Sequence, residues 1–352
     1  MNITQKTIAK KAKVSQATVS LVLNGLSDTA IPKETARKVL AAAGKLGYRR
    51  RAIPLNKNGS STKNIGYLIS SNSTSIQDFL ANPYYARFVS GLTHYSEKNK
   101  YRLIMYNKFS LVMQSVLDNQ TEGLIVEADL SPQDARMLGK RIPAVFLNWK
   151  NADMTLDSVM PDNTGGVKKA VVRLYALGHR NIAFFGMEST SLHAEQRIRG
   201  YLEGLKECGL EEIPDYLQLP KPRKKGMEEM EVCANITLKT LMSLENKPTA
   251  LIAMNDNCAL PLIRMAHKHG MRLPEELSVI GFDNRISCRY STPSLSSIEQ
   301  PMEEMAKKAM ILLLERIENP DKPIESVVFD VELIERESVC ENKKKTPVLK
   351  NV

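Results

Sequence analysis

The first 46 residues alternate apolar and polar positions with the period of short amphipathic helices. The pattern predicts helices over residues 4–12, 16–23 and about 33–46, with Ser15 as the N-cap of the second helix. The apolar positions assigned to the inner faces are Ile8, Ala9, Ala12, Val19, Val22, Leu23, Val39, Leu40, Ala43 and Leu46. A second helix that follows a tight turn is typical of a helix-turn-helix unit. On spacing alone, a generic three-helix bundle is the alternative.

From residue 64 onward, short apolar runs alternate with amphipathic stretches. This pattern is typical of parallel strands that are buried on both faces and connected by helices. The predicted strands are 65–70, 103–107, 123–127, 144–149, 181–186, 250–255 and 278–282. An apolar stripe over 302–317 predicts a core-facing helix. The repetition indicates two doubly wound subdomains, with ligands expected at the carboxyl ends of the strands.

The excess positive charge is confined to the N-terminal part of the chain. Residues 1–63 contain nine Lys and four Arg against Asp28 and Glu34, a net charge of +11. Because the whole chain carries +10, residues 64–352 together carry −1. The stretch 49–63 is basic and rich in helix-breaking residues, which predicts a linker. The asymmetry favours a polyanionic partner that is contacted by the N-terminal part alone.

The remaining chemistry of the sequence indicates no enzyme. The five cysteines are scattered, with no Cys-x-x-Cys pair, which fits reduced thiols in a cytoplasmic protein. The five histidines form no ligand cluster, and no glycine-rich phosphate loop follows a strand. No stretch approaches the roughly 20 apolar residues that span a bilayer, and the N-terminus lacks the features of a secretory signal. We therefore expect no catalysis, no cofactor, no metal and no membrane association.

The literal residues resemble the lactose-repressor (LacI/GalR) family of bacterial transcription regulators. The N-terminal resemblance is carried by Ile8-Ala9-x-x-Ala12-x-Val14-Ser15-Gln16-Ala17-Thr18-Val19-Ser20-x-Val22-Leu23-Asn24 and by Leu46-Gly47-Tyr48. The rest of the chain is similar to the family through Asn82-Pro83-Tyr84-Tyr85, Leu177-Gly178-His179-Arg180, Arg197-x-x-Gly200-Tyr201, Asn255-Asp256, Gly281-Phe282-Asp283-Asn284 and Glu299-Gln300-Pro301. Together these motifs cover nearly the full length of the chain.

The resemblance implies an all-α helix-turn-helix headpiece and an α/β periplasmic-binding-protein-like core of two doubly wound parallel-sheet subdomains. The implied domains are a headpiece over 1–48, a hinge or linker over 49–63, and an effector-binding and dimerisation core over 64–352. Within the core, the N-subdomain is expected at about 64–161 and 292–321, and the C-subdomain at about 162–291 and 322–340. The chain would then cross between the subdomains near residues 162, 290 and 322.

By this resemblance the second helix lies in the major groove of double-stranded operator DNA. Gln16 can bond to adenine, while Ala17 and Leu21 offer only apolar contact, for example to a thymine methyl group. The polar residues expected at phosphates are Thr4, Ser15, Thr18, Ser20 and Asn24, each of which could instead serve as a cap or turn. In the linker, the resemblance implies DNA contacts by Arg50, Arg51 and a minor-groove wedge, Leu55.

Three departures from the family pattern concern DNA binding. Leu21 stands where the family usually has an arginine, so the operator should differ from the usual family sequence. Lys13 replaces the usual turn glycine, which places a side chain at a strained backbone position at a cost of about 1 kcal/mol. The family's hinge pattern is missing around Pro54, so a merely flexible basic linker is the alternative to a hinge helix.

Eight core residues fall at the family's effector-contacting positions: Tyr84, Tyr85, Asn148, Trp149, Arg197, Asn255, Asp283 and Gln300. Arg197 and Asp283 could hold the hydroxyls of a polyol by charge-assisted hydrogen bonds, or they could be structural ions. The two tyrosines could belong to the core, and Asp162 is expected to cap the helix that follows it. Because the loop over 219–226 is basic, an anionic effector is an alternative to a neutral sugar.

We therefore expect a homodimeric regulator, most often a repressor in this family, whose operator affinity is controlled allosterically by a small sugar or sugar derivative bound between the core subdomains. The C-terminal segment has no leucine heptads, which favours a dimer over a tetramer. One alternative is a solute-binding module without DNA function, which residues 1–48 argue against. A second alternative, a nucleotide-dependent oxidoreductase, lacks a cofactor motif.

Overall fold

The computed structural model describes residues 5–23, 31–46, 62–69, 83–149, 156–189, 191–221 and 227–342. Within these ranges the chain forms two compact units. The first takes its described residues from 1–82, 88–159 and 303–327, and the second takes them from 83–87, 160–302 and 328–352. No helix among the described residues is long and apolar enough to cross a membrane.

Three N-terminal helices pack around a small core of their own: α1 (Gln5–Ala12), α2 (Gln16–Leu23) and α3 (Lys33–Lys45). Ile8, Val19 and Val39 are fully buried at its centre, which confirms the predicted inner faces at these positions. The assignment of Leu40 was wrong, because its side chain is 42% exposed and Ala42 is buried instead. At 3.6 residues per turn, positions 39, 42, 43 and 46 lie on one side of α3 and position 40 does not.

The turn between α1 and α2 has the predicted strained geometry. Lys13 adopts a positive φ of 55°, and the backbone N–H of Val14 donates to the carbonyl of Ala9 at 3.1 Å. Ser15 then caps α2, because its Oγ accepts the N–H of Thr18 at 3.0 Å. The turn that leads into α2 therefore contains a non-glycine residue in the left-handed region, which L-residues rarely adopt.

Each unit contains one six-stranded sheet. The strands are β1 (Asn64–Ile69), β2 (Arg102–Tyr106), β3 (Gly123–Glu127), β4 (Ala144–Leu147), β5 (Asp157–Pro161), β6 (Ile182–Phe185), β7 (Leu217–Gln218), β8 (Ala250–Ala253), β9 (Ser278–Phe282), β10 (Ser296–Glu299), β11 (Ser326–Phe329) and β12 (Glu332–Ile334). The first sheet has the order β11-β5-β4-β3-β1-β2, and the second has the order β12-β10-β9-β8-β6-β7. Adjacent strands from β2 to β5 and from β7 to β10 are parallel, and β12 is antiparallel to β10.

Helices cover these sheets: α4 (Pro83–Lys98), α5 (Phe109–Leu117), α6 (Pro132–Gly139), α7 (Asn163–Ala176), α8 (Leu192–Glu207), α9 (Met227–Ser243), α10 (Asp256–Lys268) and α11 (Met302–Glu318). Residues of α11 that were predicted to face the core, such as Met305 and Ala309, are fully buried. In the second unit α7 and α8 pack closely through Gly200, where an added Cβ would lie 2.3 Å from the carbonyl oxygen of Thr164.

The chain passes between the two units at several points. The boundaries fall at residues 82/83, 87/88, 159/160, 302/303 and 327/328, and the crossings expected near 162, 290 and 322 stay predictions. Residues 292–302 belong to the second unit because β10 pairs in parallel with β9. Residues 322–327 belong to the first unit, where β11 lies beside β5 in the sheet.

Candidate functional site

The residues expected to face DNA on α2 are accessible where the structure describes them. Ser15, Gln16 and Ala17 are exposed, and Thr18 and Ser20 are half-buried. Leu21 is 38% exposed although it is apolar. The opposite face of α2 is held by Val19 and Val22, which are buried in the three-helix core. The exposed side chains at the start of α2 therefore do not belong to the three-helix core.

Other DNA contacts expected from the sequence lie outside the described residues: Thr4, Asn24, Arg50, Arg51 and Leu55. The hinge around Pro54 lies there too, as does most of the basic loop over 219–226. These assignments stay predictions. Ser15 has the cap role that was considered for it, since its Oγ accepts the N–H of Thr18 and also lies 2.8 Å from the hydroxyl of Thr18.

A buried polar cluster occupies the carboxyl ends of strands in the second unit. Arg197, on α8, is 5% exposed, and Asp283, directly after β9, is also 5% exposed. Arg197 Nη2 lies 3.5 Å from Asp283 Oδ1, and Gln300 Nε2 donates to the same oxygen at 2.9 Å. Three of the predicted effector residues are therefore in direct contact. The alternative assignment of Arg197 and Asp283 as structural ions describes this contact equally well.

The rest of the Arg197 guanidinium is held by protein groups. Its Nε donates to Asn163 Oδ1 at 2.9 Å, and its Nη1 donates to the carbonyl of Met254 at 2.8 Å. Its Cζ lies 3.6 Å from the centroid of the Phe282 ring. Arg197 is thus fixed in position beside the end of β8, where the strand order of the second sheet reverses. In doubly wound sheets, ligands bind at this point.

Asp283 has an unusual backbone and a perturbed charge. Its φ is 108°, and the next residue, Asn284, has a φ of 45°. Burial raises the pKa of Asp283, while Arg197 and then Arg285 lower it. The pKa of Asp256, one strand away, is raised by burial and then by the charge of Asp283. Residues held in rare conformations are frequent at functional sites, so this strand end is a candidate binding position.

Two buried atoms beside Asp283 have no hydrogen-bond partner among the described residues: Gln300 Oε1 and Arg285 Nε. Arg285 Nε lies 3.8 Å from Asp283 Oδ2, which is too long for a hydrogen bond. Buried polar groups are normally satisfied. A donor and an acceptor that both lack a partner among the described residues therefore leave hydrogen-bonding capacity beside this carboxylate.

The second unit also holds the two tyrosines and Asn255. Tyr84 and Tyr85 meet edge-on, with ring centroids 5.2 Å apart. The Tyr84 ring is buried, and Arg285 Cζ lies 5.8 Å from its centroid. Tyr85 is half-buried. Asn255 is the N-cap of α10, since its Oδ1 accepts the N–H of Cys258 at 3.1 Å.

Asp162 has the capping role expected for it in the second unit. Its Oδ1 accepts the N–H of Gly165 at 2.8 Å at the start of α7. The neighbouring Asn163 was missed by the sequence analysis, although it joins Arg197 to Gln196, whose Oε1 accepts from Asn163 Nδ2 at 3.0 Å. Arg285 was missed as well. Its position, two residues after Asp283, is the only signal in the sequence that could have identified it.

The remaining predicted effector residues, Asn148 and Trp149, lie in the first unit. Asn148 follows β4, is 7% exposed and has a positive φ of 56°. Its Nδ2 donates to Glu127 Oε1 at 3.4 Å. Tyr67 donates its hydroxyl to the other oxygen of Glu127. Trp149 is half-buried against the core of this unit. The sequence analysis treated Glu127 only as the end of a strand and did not identify this cluster.

The described residues offer no site for a metal ion, since no group of three or more His, Cys, Asp or Glu side chains among them could hold one. All five cysteines are free thiols. His179 is buried between Thr249 and a backbone carbonyl, with Nδ1 2.9 Å from Thr249 Oγ1 and Nε2 3.0 Å from the carbonyl of Cys340. Its surroundings are those of a packing residue.

A helix-turn-helix unit joined to two doubly wound units defines a DNA-binding regulator with a periplasmic-binding-protein-like core. Family models agree: one for bacterial regulatory proteins of the lacI family matches residues 4–51, and one for a periplasmic binding protein-like domain matches residues 171–339. The chain belongs to the lacI family of bacterial regulatory proteins. The prediction of a transcription regulator rather than an enzyme is thereby confirmed.

Relatives match over almost the whole chain. The HTH-type transcriptional repressor PurR of Aliivibrio fischeri (strain ATCC 700601 / ES114) is 31% identical over 353 residues, which are 97% of this chain and 99% of the relative. The ribose operon repressor of Haemophilus influenzae is 27% identical over 343 residues, 96% of this chain and 98% of that protein. A solved complex of the transcriptional regulator CelR with cellobiose has a TM-score of 0.70 and 23% identity over 96% of this chain and 100% of that one. At that identity the likeness shows the fold alone.

Proposed function

We propose that this chain is a homodimeric, cytoplasmic repressor that binds operator DNA through α2 and changes its operator affinity when a small sugar or sugar derivative occupies the core. Its family membership and the repressors among its relatives support this function. Helix-turn-helix proteins bind as dimers to two half-sites about one helical turn apart. A bacterial regulator meets its operator in the cytoplasm, where free thiols such as those of this chain persist.

The proposed effector site rests on the buried contact of Arg197, Asp283 and Gln300. The Arg197–Asp283 distance of 3.5 Å is long for a charge-assisted hydrogen bond, which is about 2.7–2.9 Å. A ligand hydroxyl can therefore improve on it by donating to Asp283 and accepting from a nearby guanidinium. Gln300 Oε1 and Arg285 Nε, which lack partners among the described residues, provide a further acceptor and a further donor for a polyol.

An anionic effector is an alternative to a neutral sugar at the same site. A sugar acid or sugar phosphate would also contact the guanidinium groups of Arg197 and Arg285. Tyr84 and Tyr85 supply aromatic surface in this unit, which suits the C–H face of a sugar ring. The cellobiose bound to CelR shows that this fold accommodates a saccharide in another protein. The effector of this chain is proposed to be of the same general class.

Operator binding with and without candidate effectors tests the function. Operator sequences are first selected from a random duplex pool with the full-length protein, and binding is then followed by fluorescence anisotropy at fixed salt. Sugars, sugar acids, sugar phosphates and amino sugars are screened for a change in affinity and for a rise in the melting temperature. A ligand that binds only the folded state at 100 times its Kd stabilises it by about 2.7 kcal/mol.

Two substitutions and one matched control locate the site. Arg197→Ala and Asp283→Ala are expected to abolish the effector-induced rise in melting temperature. Arg199→Ala, two residues further along α8, removes an exposed arginine that pairs with Glu203 and should retain the rise. The proposal is overturned if no selected duplex binds the full-length protein, or if none of the screened compounds changes the affinity for the selected operator. Retention of the rise by both site variants would refute the assigned site alone.

A further inference from the structure

Glu127 occupies the position in the first unit where a doubly wound sheet normally binds its ligand. It is the last residue of β3, and in the sheet register it lies opposite Ile69, the last residue of β1. The chain runs from β1 to β2 on one side and to β3 on the other, so the strand order reverses between β1 and β3. Ligands of such sheets bind outside the carboxyl ends of the strands at this reversal.

The carboxyl group of Glu127 is surrounded by hydrogen-bond donors. The side chain is 8% exposed. Tyr67, on β1, donates to Oε2, and Asn148, after β4, donates to Oε1. Of these two partners, Tyr67 is titratable and Asn148 carries no charge. Across the part of the chain that the structure describes, no Lys or Arg forms an ion pair with Glu127, whereas buried Asp157 is paired with Arg316.

Within the described residues, Glu127 is therefore a buried carboxyl group that accepts two hydrogen bonds and makes no ion pair. Both oxygens already accept a hydrogen bond, which favours the charged form, but burial without a cation disfavours it more strongly. Desolvation accordingly raises the pKa of Glu127 to about 8. The carboxyl is therefore largely protonated at pH 7, and a cation bound beside it would allow it to ionise.

We propose that Glu127, oriented by Tyr67 and Asn148, binds an ammonium group of the effector, so that the effector is an amino sugar. This inference rests on the proposed function, since it assigns the chemical class of the effector. Binding joins the protonated amine of the ligand to the carboxylate of Glu127, and the proton of the carboxyl group is released to solvent. No covalent bond changes other than this O–H bond, and the charge balances because the ligand brings one positive charge and one proton leaves.

A ligand series with matched charges tests the inference. The melting temperature of the full-length protein at pH 7 is measured with glucosamine, galactosamine and mannosamine, each beside its parent sugar and its N-acetyl derivative. At least one amine is expected to raise the melting temperature, and its two neutral counterparts are expected to bind at least tenfold more weakly. The inference is overturned if a neutral sugar or a sugar acid binds as tightly as the amines, or if no amine binds.

Two variants identify the residue. Glu127→Gln keeps the shape and the hydrogen-bonding capacity of the side chain but cannot ionise, and it should weaken amine binding at least tenfold. Glu122→Gln makes the same change just before the opposite end of β3, where Glu122 accepts the N–H of Lys63 at 2.9 Å, and should bind the amine as the wild type does. Far-UV circular dichroism establishes that both variants are folded. Unchanged amine binding by Glu127→Gln would contradict the assignment.

The released proton gives a second readout that a structural role of Glu127 would not produce. Calorimetric titration of the amine into the wild type, in two buffers of different ionisation enthalpy, should show release of most of one proton per site at pH 7. Titration into Glu127→Gln should show none from this group. A neutral or acidic effector that changes operator binding would overturn this inference and leave the proposed function intact, whereas failure of every ligand class would overturn the proposed function.

Discussion

Leu21, on α2, is one of the residues predicted to face the bases of the operator. Its side chain is 38% exposed on α2, so it is not required for the helix core. A leucine can contact a thymine methyl group but cannot form the bidentate hydrogen bonds by which arginine reads guanine. Specificity at the corresponding base pair should therefore rest on apolar contact.

Replacing Leu21 by Arg should change the preferred base at one operator position. We expect Leu21→Arg to favour guanine there, with a discrimination of about 1–3 kcal/mol against the base preferred by the wild type. Anisotropy titrations with duplexes that differ at single positions measure this change. Leu40→Arg is the matched control, because Leu40 is exposed to a similar extent on α3. It adds the same charge and should alter affinity for all duplexes alike. An unchanged preference in Leu21→Arg would show that residue 21 does not read bases.

Glu127 also has a consequence for stability that does not depend on any ligand. Its folded-state pKa is raised to about 8 from the ordinary value of 4.5, so the folded protein retains a proton that the unfolded chain has lost. The contribution of Glu127 to the free energy of unfolding is complete below pH 4.5, and it is lost as the pH rises through 8. The loss reaches about 1.4 kcal/mol per pH unit within that window. Melting temperatures of the wild type and Glu127→Gln, compared between pH 5 and 9, should diverge in favour of the variant as the pH rises. Parallel curves would contradict the raised pKa, and Glu122→Gln should follow the wild type.

At the level of elements, hydrophobic pattern located the strands whose side chains are apolar and missed those with buried polar side chains. The strands β1, β3, β4 and β9 were predicted, because each is mostly apolar. The strand β10 was not, since Ser296 and Ser297 are fully buried but polar. Their hydroxyl groups are satisfied by distant partners, as in the 2.7 Å bond from Ser297 to Asp256. A pattern of neighbouring residues cannot reveal such partners.

The same limit applies to the candidate sites. Arg197 and Asp283 were found because their motifs resemble those of a family, and the structure brings them into contact. Glu127 was missed, because its partner Tyr67 is 60 residues away in the sequence and only the sheet register brings the two together. Residues of a site that depend on strand order therefore require the fold before they can be recognised.

The segment that returns the chain towards β11 depends on one arginine. Arg316 on α11 donates to both carboxylate oxygens of Asp157, at 3.0 and 2.8 Å, and also to the carbonyls of Pro320, Lys322 and Pro323. The Asp157 side chain is fully buried. This one side chain therefore ties the end of α11 and the following loop to β5.

Removing Arg316 should destabilise the first unit strongly. Arg316→Met leaves Asp157 buried without a counter-ion, which typically costs about 3–5 kcal/mol. Adding Asp157→Leu removes the buried charge and should restore much of the loss, because an apolar pair of similar volume avoids the desolvation penalty. Chemical denaturation of the two variants and the wild type gives the free energies of unfolding. An additive loss in the double variant would refute this account of the ion pair.

On the scale of the whole molecule, the excess positive charge and the proposed effector-binding residues lie in different parts of the chain. Residues 1–63 carry a net charge of +11, and the remainder carries −1. Both polar clusters that we propose to contact the effector lie beyond residue 64, in the two sheet-containing units. DNA affinity should therefore depend almost wholly on the N-terminal part, while effector binding should depend on the core.

Deleting residues 1–63 should separate the two functions. The affinity of the full-length protein for its selected operator should fall steeply with salt, with a slope of about −0.9 in log K against log salt for each phosphate neutralised. The shortened chain, with a net charge of −1 in place of +10, should not bind the operator at any salt concentration.

The same chain should retain the effector-induced rise in melting temperature, since the contacts of Arg197 and Asp283 lie within residues 163–300. Arg197→Ala in the shortened chain should remove that rise, which shows that it reports the same site as in the full-length protein. Operator binding by the shortened chain would place DNA contacts in the core, and loss of the rise on deletion alone would make effector binding dependent on the headpiece.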